Sequence, residues 1–524
     1  MKKLITLLVA LLTGVALSGC ELTEKASNSL GINSDTALNI IAATELEDLE
    51  PVVQQASADL GFPINMQFHQ GTLQNSQDLK NGVFDGSVDA TWMATNRYVD
   101  LIGARGALAD ETKIATSPVA FGVQTAKVKE LGWDKKQPTW SEFAAAGREG
   151  KFTFGMTDPS ASNSGFSALV SVATAMADTG SALTDQDVEK VGPSLHELFQ
   201  AQSMVSGSSG WLADSFLQNP HEADAIINYE STLHQMRAEG ADIEVIVPAD
   251  GVVSADYPLS TLANPANQEA SGQVKALADW LLEHQQLIAD SFRRPVSDVE
   301  NMPAALQTQT VIELPFPGKY GTVQNLVERY NNEYRTRGNT TFVLDTSGSM
   351  EGERLDSLKE IMTSLVDGTA ATTIGNVSLR DGETVTFQKF SSEPWEPLTG
   401  TYSTTVPAVQ QQFLDYINGL VADGGTNIYD TLLSVTEKAD PDAGITSIVL
   451  LTDGEVTAGR GMADFKNDYA KVTANKGKVP VFVILYGEAN VEEMKELADM
   501  TGGAVFDAIN GDLGDAFKEI RGYQ

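Results

Sequence analysis

Thr341-Phe342-Val343-Leu344-Asp345-Thr346-Ser347-Gly348-Ser349 decides the fold of the second half of this chain. A short apolar run fit for a buried strand leads straight into a carboxylate and a turn of small hydroxyl residues. Further on, Gly424-Gly425-Thr426-Asn427 opens a helix. Ser447-Ile448-Val449-Leu450-Leu451 then repeats the buried-strand pattern and ends in Thr452-Asp453-Gly454. Uninterrupted apolar runs bounded by turn residues suit parallel strands covered on both faces. Asp345 and Asp453 therefore stand at the carboxyl ends of two buried strands, where open α/β sheets hold their ligands. The hydroxyls of Ser347, Ser349 and Thr426 belong to the same set of loops. No His or Cys follows residue 284, so only hard oxygen donors are available. That set suits Mg²⁺, with Mn²⁺ as an alternative. Two carboxylates are few for Ca²⁺, which stays a lesser candidate. Five protein groups, some acting through water, leave a coordination position for an outside ligand.

These elements resemble the von Willebrand factor A-type domain and its metal-ion-dependent adhesion site (MIDAS). The five positions match in order: Asp345, Ser347 and Ser349 in the first loop, Thr426 in the second, Asp453 in the third. The resemblance covers residues 338–524, including a strand Val481 to Leu485 and a final helix near Leu513 to Ile520. It implies a Rossmann-like doubly wound sheet. It also implies that the two serines and the threonine contact the metal, directly or through water. Asp345 and Asp453 would act directly or from behind, and a partner protein's Glu or Asp carboxylate would fill the open position.

The preceding part alternates strand-like and helical patterns, beginning with Leu38-Asn39-Ile40-Ile41-Ala42 and a helical stretch from Leu46 to Leu60. Strand-like runs recur at 64–68, 90–94, 152–155, 225–228 and 243–247, a rhythm that predicts a parallel sheet with helices on its faces. Leu314-Pro315-Phe316-Pro317-Gly318 breaks the pattern, and residues 321–337 read as a connecting helix and linker. Thr44-Glu45-Leu46-Glu47, Ala115 to Phe121, Thr157 to Gly165, Asn228-Tyr229-Glu230 and Val247 to Gly251 resemble a two-lobed periplasmic solute-binding protein over residues 37–320. Within that unit, Ser160, Ser162 and Ser164 precede or open a helix from Phe166 to Ala177. Exposed N–H groups, hydroxyls and the helix dipole there favour an anion. Simple capping by Ser162 or Ser164 explains the same residues equally well. Thr44 and Tyr229 complete the candidate ligand set, and Trp92, Trp211 and Tyr229 are aromatic candidates for a cleft wall.

The N-terminus reads as an address. Lys2 and Lys3 precede an apolar run from Leu4 to Leu17. At about 14 residues it suits a signal peptide better than a membrane span. Leu17-Ser18-Gly19-Cys20 looks like a bacterial lipobox, which implies cleavage after residue 19 and lipid on Cys20, the sole cysteine of the 524-residue chain. Residues 20–36 then form the lipidated end and a polar tether. Glu21 after that cysteine favours an outer membrane if the organism is Gram-negative.

Lys plus Arg number 35 against 71 for Asp plus Glu, a net charge of −36. So acidic a surface repels phosphate backbones and excludes nucleic acid as a partner. One cysteine excludes an intrachain disulfide framework. There is no Walker-type loop, and the five histidines, all at or before His284, show no metal-ligand spacing. The sequence predicts a non-enzymatic, lipid-anchored protein of the bacterial cell envelope facing the periplasm or the exterior. Its partners would be a carboxylate-bearing protein, the membrane and a small solute or anion. The alternative is a transport receptor for a small solute or oxyanion.

Overall fold

The computed structural model describes residues 37–68, 70–218, 220–370, 378–441, 443–485, 490–507 and 520. The signal segment, Cys20, the tether, His69 and all of the expected final helix except Ile520 lie outside the described residues. The chain divides into two compact units, Met1–Thr116 with Asp256–Pro303, and Ser117–Ala255 with Ala304–Gln524.

The first unit holds a five-stranded sheet in the order Ile64–Gln67, Leu38–Ala42, Ala90–Trp92, Pro258–Thr261, Thr112–Lys113. The first three strands are parallel, but Pro258–Thr261 pairs antiparallel with both neighbours. The expectation of a purely parallel sheet is corrected here. Apolar periodicity reports which face of a strand is buried and carries no information on its direction. The expected helix from Leu46 begins as a 3₁₀ turn, Thr44–Leu49, and becomes α-helical at Glu50–Leu60. Pro51 sits in the first helical turn, where its missing N–H costs nothing.

The second unit contains two sheets. One runs Ser254–Ala255, Ala115–Gln124, Ala225–Tyr229, Phe154–Thr157, Gln202–Ser206, again of mixed direction. The other is the doubly wound sheet foreseen from the motif. Its order is Leu398–Thr401, Thr384–Phe390, Gly338–Asp345, Ile445–Thr452, Val481–Leu485, Val505–Asp507. All neighbours are parallel except the edge strand Leu398–Thr401. Its two faces are filled by separate apolar layers, Phe342, Leu344, Val449 and Phe482 on one side, Val343, Leu450, Val481 and Val483 on the other. That alternation explains why the central strands are apolar throughout.

The expected connecting segment is a packed strut. Helix Tyr320–Arg329 continues into a π-turn, Tyr330–Tyr334, and lies against helix Asp185–Phe199. The Tyr330 hydroxyl donates to Gln202 Oε1 at 2.8 Å, and its ring stands edge-on to Phe199. Burial pushes the Tyr330 hydroxyl up to about 12.

Candidate metal centre

Each first-loop donor is set by the end of the strand Gly338–Asp345. Asp345 is fully buried and accepts from the Ser347 N–H at 2.8 Å and from Thr452 Oγ1 at 2.5 Å. Burial pushes its carboxyl above the usual range, against those two hydrogen bonds that pull it down. Asp345 thereby ties its own loop to the neighbouring strand Ile445–Thr452. The Ser347 and Ser349 hydroxyls lie 3.1 Å apart, and Ser349 Oγ donates to Asp453 Oδ1 at 2.9 Å. The Arg354 guanidinium pairs with the other oxygen of Asp453 and donates to the Ser349 carbonyl at 3.3 Å.

The second loop is brought in by backbone contacts. Gly348 N donates to the Gly424 carbonyl at 3.0 Å, and Asp423 N to the Thr346 carbonyl at 2.8 Å. Gly424 takes a left-handed φ of 79°, and a Cβ there would meet Ser392 Oγ at 2.8 Å, so this turn calls for glycine. Thr426 follows, buried, with its N–H on Thr457 Oγ1 at 2.8 Å. A Cβ placed on Gly454 would stand 3.5 Å from Ser349 Oγ and 3.7 Å from Thr426 Oγ1. Both hydroxyls therefore face the same bare glycine, directly after Asp453.

The structure thus gathers all five expected donors into one cluster. The donor set fits a hard divalent cation: two carboxylates, three hydroxyls, no nitrogen or sulfur. Among the described residues no group of three or more His, Cys, Asp or Glu is placed to hold a metal, so a cation at this cluster would rest largely on hydroxyl oxygens. Thr452, Arg354 and Gly424 went unforeseen. Thr452 is adjacent to Asp453 and was legible as a hydroxyl at a strand end; Arg354 gave no signal, being one charge on a solvated helix.

The candidate ligand residues fall apart into two sets. Thr44 is exposed at the start of its 3₁₀ turn in the first unit. In the second unit, helix Asn163–Ala177 starts earlier than the sequence suggests. Ser162 stands at its N-cap with no side-chain capping bond, which corrects that part of the capping reading. Its hydroxyl turns instead to Ser164 Oγ at 3.2 Å, and Ser164 Oγ reaches Thr157 Oγ1 at 2.9 Å and Ser209 Oγ at 2.7 Å. Ser160 is held away by Asp158, whose Oδ1 accepts from its N–H and its hydroxyl. Tyr229 is buried and its hydroxyl accepts from Asn163 Nδ2 at 2.8 Å, while Asn163 Oδ1 is buried without a hydrogen-bond partner. Asn163 and Ser209 were missed by the sequence reading. Trp92 is a core residue, its indole N–H donating to the Tyr257 carbonyl. Trp211 packs on Phe482 of the C-terminal sheet.

Residues 339–519 match the family model for the von Willebrand factor type A domain, so the C-terminal part is such a domain. Over 134 residues the chain is 34% identical to inter-alpha-trypsin inhibitor heavy chain H4 of Bos taurus, covering 23% of this chain and 13% of that relative. The chain thus spans only about an eighth of that relative's length. The human heavy chain H4 is 26% identical over 178 residues, 32% of this chain and 17% of the relative. Among solved structures, the periplasmic binding protein P5PA is similar at 17% identity and a TM-score of 0.45, over 57% of this chain and 100% of its own.

Proposed function

We propose that this chain is a lipid-anchored protein of the bacterial cell envelope that captures a protein partner through a Mg²⁺ held by Asp345, Ser347, Ser349, Thr426 and Asp453. The observation that carries this reading is the convergence of those five groups at the carboxyl end of a doubly wound sheet. When bound, the cation supplies a Lewis-acidic position for a partner's carboxylate. The chain's own residues orient it: Thr452 and the Ser347 N–H fix Asp345, and Ser349 fixes Asp453. The reading is of binding and adhesion without turnover. Lipid on Cys20 would hold the protein at the membrane, the outer one in a Gram-negative organism, with the domain facing the periplasm or the exterior.

Calorimetric titration of Mg²⁺ into the EDTA-stripped chain tests it, beside Asp345→Ala. Heat of binding that the variant loses supports the centre. Partner capture that persists unchanged in EDTA sinks the reading.

A second reading has its own observation. Asn163 Oδ1 is buried and unpartnered beside Tyr229, where helices Asn163–Ala177 and Ser209–Gln218 both begin among hydroxyls. That supports a receptor for a small polar solute that gives a donor to Asn163 Oδ1, with the two helix starts favouring any anionic group it carries. Saturable thermal stabilisation by one member of a solute and oxyanion panel, lost in Asn163→Leu, would favour it.

A further inference from the structure

A cavity of about 580 Å³ in the second unit shares no residue with the five donors or with the Asn163 cluster. It lies among helix Thr125–Leu131, the segment 133–137, helix Glu230–Ala238, the strand Ile243–Ile246 and the 3₁₀ turn Ala304–Gln307 with the two residues after it. Small-molecule sites commonly enclose about 300–1,000 Å³. Part of the lining is apolar and buried: Val128, Trp133, Val245 and Ile246. The Trp133 ring is held edge-on by Phe143 and Phe152, at 4.6 and 5.2 Å between centres. Two glutamines pin the walls. Gln137 Nε2 donates to the Val247 and Thr310 carbonyls at 2.6 and 3.0 Å. Gln309 Oε1 accepts from Val247 N at 2.6 Å, and its Nε2 donates to the Val245 carbonyl. The cavity is therefore built into the fold.

The charged side chains around it differ in what they already hold. Lys136 pairs with Glu142, and Arg237 with Glu244 at 3.3 Å. The side chains of Lys129 and Asp134 have no ion-pair or hydrogen-bond partner among the described residues, and they do not pair with each other. Gln137 Oε1 likewise accepts no hydrogen bond among the described residues. A free cation and a free carboxylate thus border one cavity beside a buried apolar surface. A simple anion drawn to Lys129 is repelled by Asp134, and a simple cation meets the reverse, whereas a zwitterion complements both. We propose that this cavity binds a free α-amino acid with an apolar side chain. Its carboxylate pairs with Lys129, its ammonium with Asp134 and Gln137 Oε1, and its side chain covers Val128, Trp133, Val245 and Ile246. This site is independent of both readings above.

Calorimetric titration of the full chain with L-leucine and L-phenylalanine tests it. Beside each run its N-acetyl derivative, which lacks the ammonium, and its amide, which lacks the carboxylate. At least one of the two amino acids should bind saturably, with a Kd below about 1 mM. Each of its derivatives should bind about tenfold more weakly, equivalent to about 1.4 kcal/mol. Lys129→Gln should weaken the amino acid to the level of its amide, and Asp134→Asn to that of its N-acetyl form. Both side chains are exposed, so the unliganded Tm of either variant should match the parent. Asn163→Leu should leave the binding unchanged. No saturable heat from either amino acid at about 10 mM overturns the proposal. Binding that either charge variant leaves at parental strength, or that Asn163→Leu removes, overturns it as well, because the ligand then sits elsewhere.

Discussion

Replacing Arg380 by methionine should destabilise the second unit by about 3 kcal/mol, and the geometry says why. Asp158 is almost wholly buried, and its Oδ2 lies 3.2 Å from Arg380 Nη2 and 3.6 Å from Arg335 Nη1. Arg335 is 2% exposed and Arg380 10%. At an effective dielectric of about 20, each contact carries roughly 5 kcal/mol of gross attraction. Desolvation of three charges offsets much of this, but removing one partner from a buried pair still costs about 3–5 kcal/mol. Arg335 remains to hold the carboxylate in Arg380→Met, which places the loss near the lower end. Asp158→Asn should cost more, because it leaves two buried guanidiniums facing each other and loosens the Ser160 turn that Oδ1 holds. Urea unfolding of the full chain measures the loss, and hydrogen exchange of residues 157–164 locates it. If Arg380→Met lies within about 0.5 kcal/mol of the parent while exchange at 157–164 is unchanged, the argument that this ion pair fixes the loop fails.

Three further outcomes follow from other contacts. Gly165→Ala should cost more than about 2 kcal/mol by thermal or urea unfolding, since its Cβ would fall 2.1 Å from the Thr157 carbonyl oxygen, a backbone atom that cannot yield. Arg354→Gln should raise Mg²⁺ affinity about three- to tenfold in calorimetry, because it removes a positive charge from Asp453. A weaker affinity would mean that Arg354 instead positions the carboxylate. Burial holds the Asp256 carboxyl above its ordinary range, opposed by Arg97 and a Thr95 hydrogen bond. A raised carboxyl pKa means no penalty in acid and a growing one as pH climbs through the folded-state value. Asp256→Asn should therefore raise Tm near neutral pH and lose that advantage in acid, as calorimetric scans across pH would record.

The candidate donor cluster was legible because every one of its residues follows a buried strand or opens a helix within a few positions. The signals are local: an apolar run, then a carboxylate, then small hydroxyls. Strand direction in the first unit was not legible, because Pro258–Thr261 shows the same apolar face whichever way it runs. The Asp158 cluster was invisible for a different reason. Arg380 lies 222 positions from Asp158, and in sequence an arginine that will be buried looks like one on a solvated surface. Ser160, Ser162 and Ser164 were singled out as a group. Their roles diverged, because Asp158 captured the first while the other two bonded to each other.

The contacts around Asp158 also fix the donor-bearing C-terminal sheet from one end. Arg380 N donates to Glu383 Oε2 at 2.9 Å, and Glu383 Oε1 accepts from Thr340 Oγ1 at 3.3 Å. Thr340 is at the beginning of the strand that ends in Asp345, and Glu383 immediately precedes its parallel neighbour Thr384–Phe390. Arg335 stands three residues before Gly338, where the strand ending in Asp345 starts. The buried ion cluster therefore grips the amino-terminal edge of the sheet, while all five donors sit at the carboxyl edge. Parallel strands separate these two tasks by their whole length, about 3.3 Å per residue over the strand Gly338–Asp345. Anchoring and ligand presentation are thus assigned to opposite edges of one sheet. A perturbation at Arg380 should for that reason lower stability without changing Mg²⁺ affinity, and one at Gly454 or Thr426 should do the reverse.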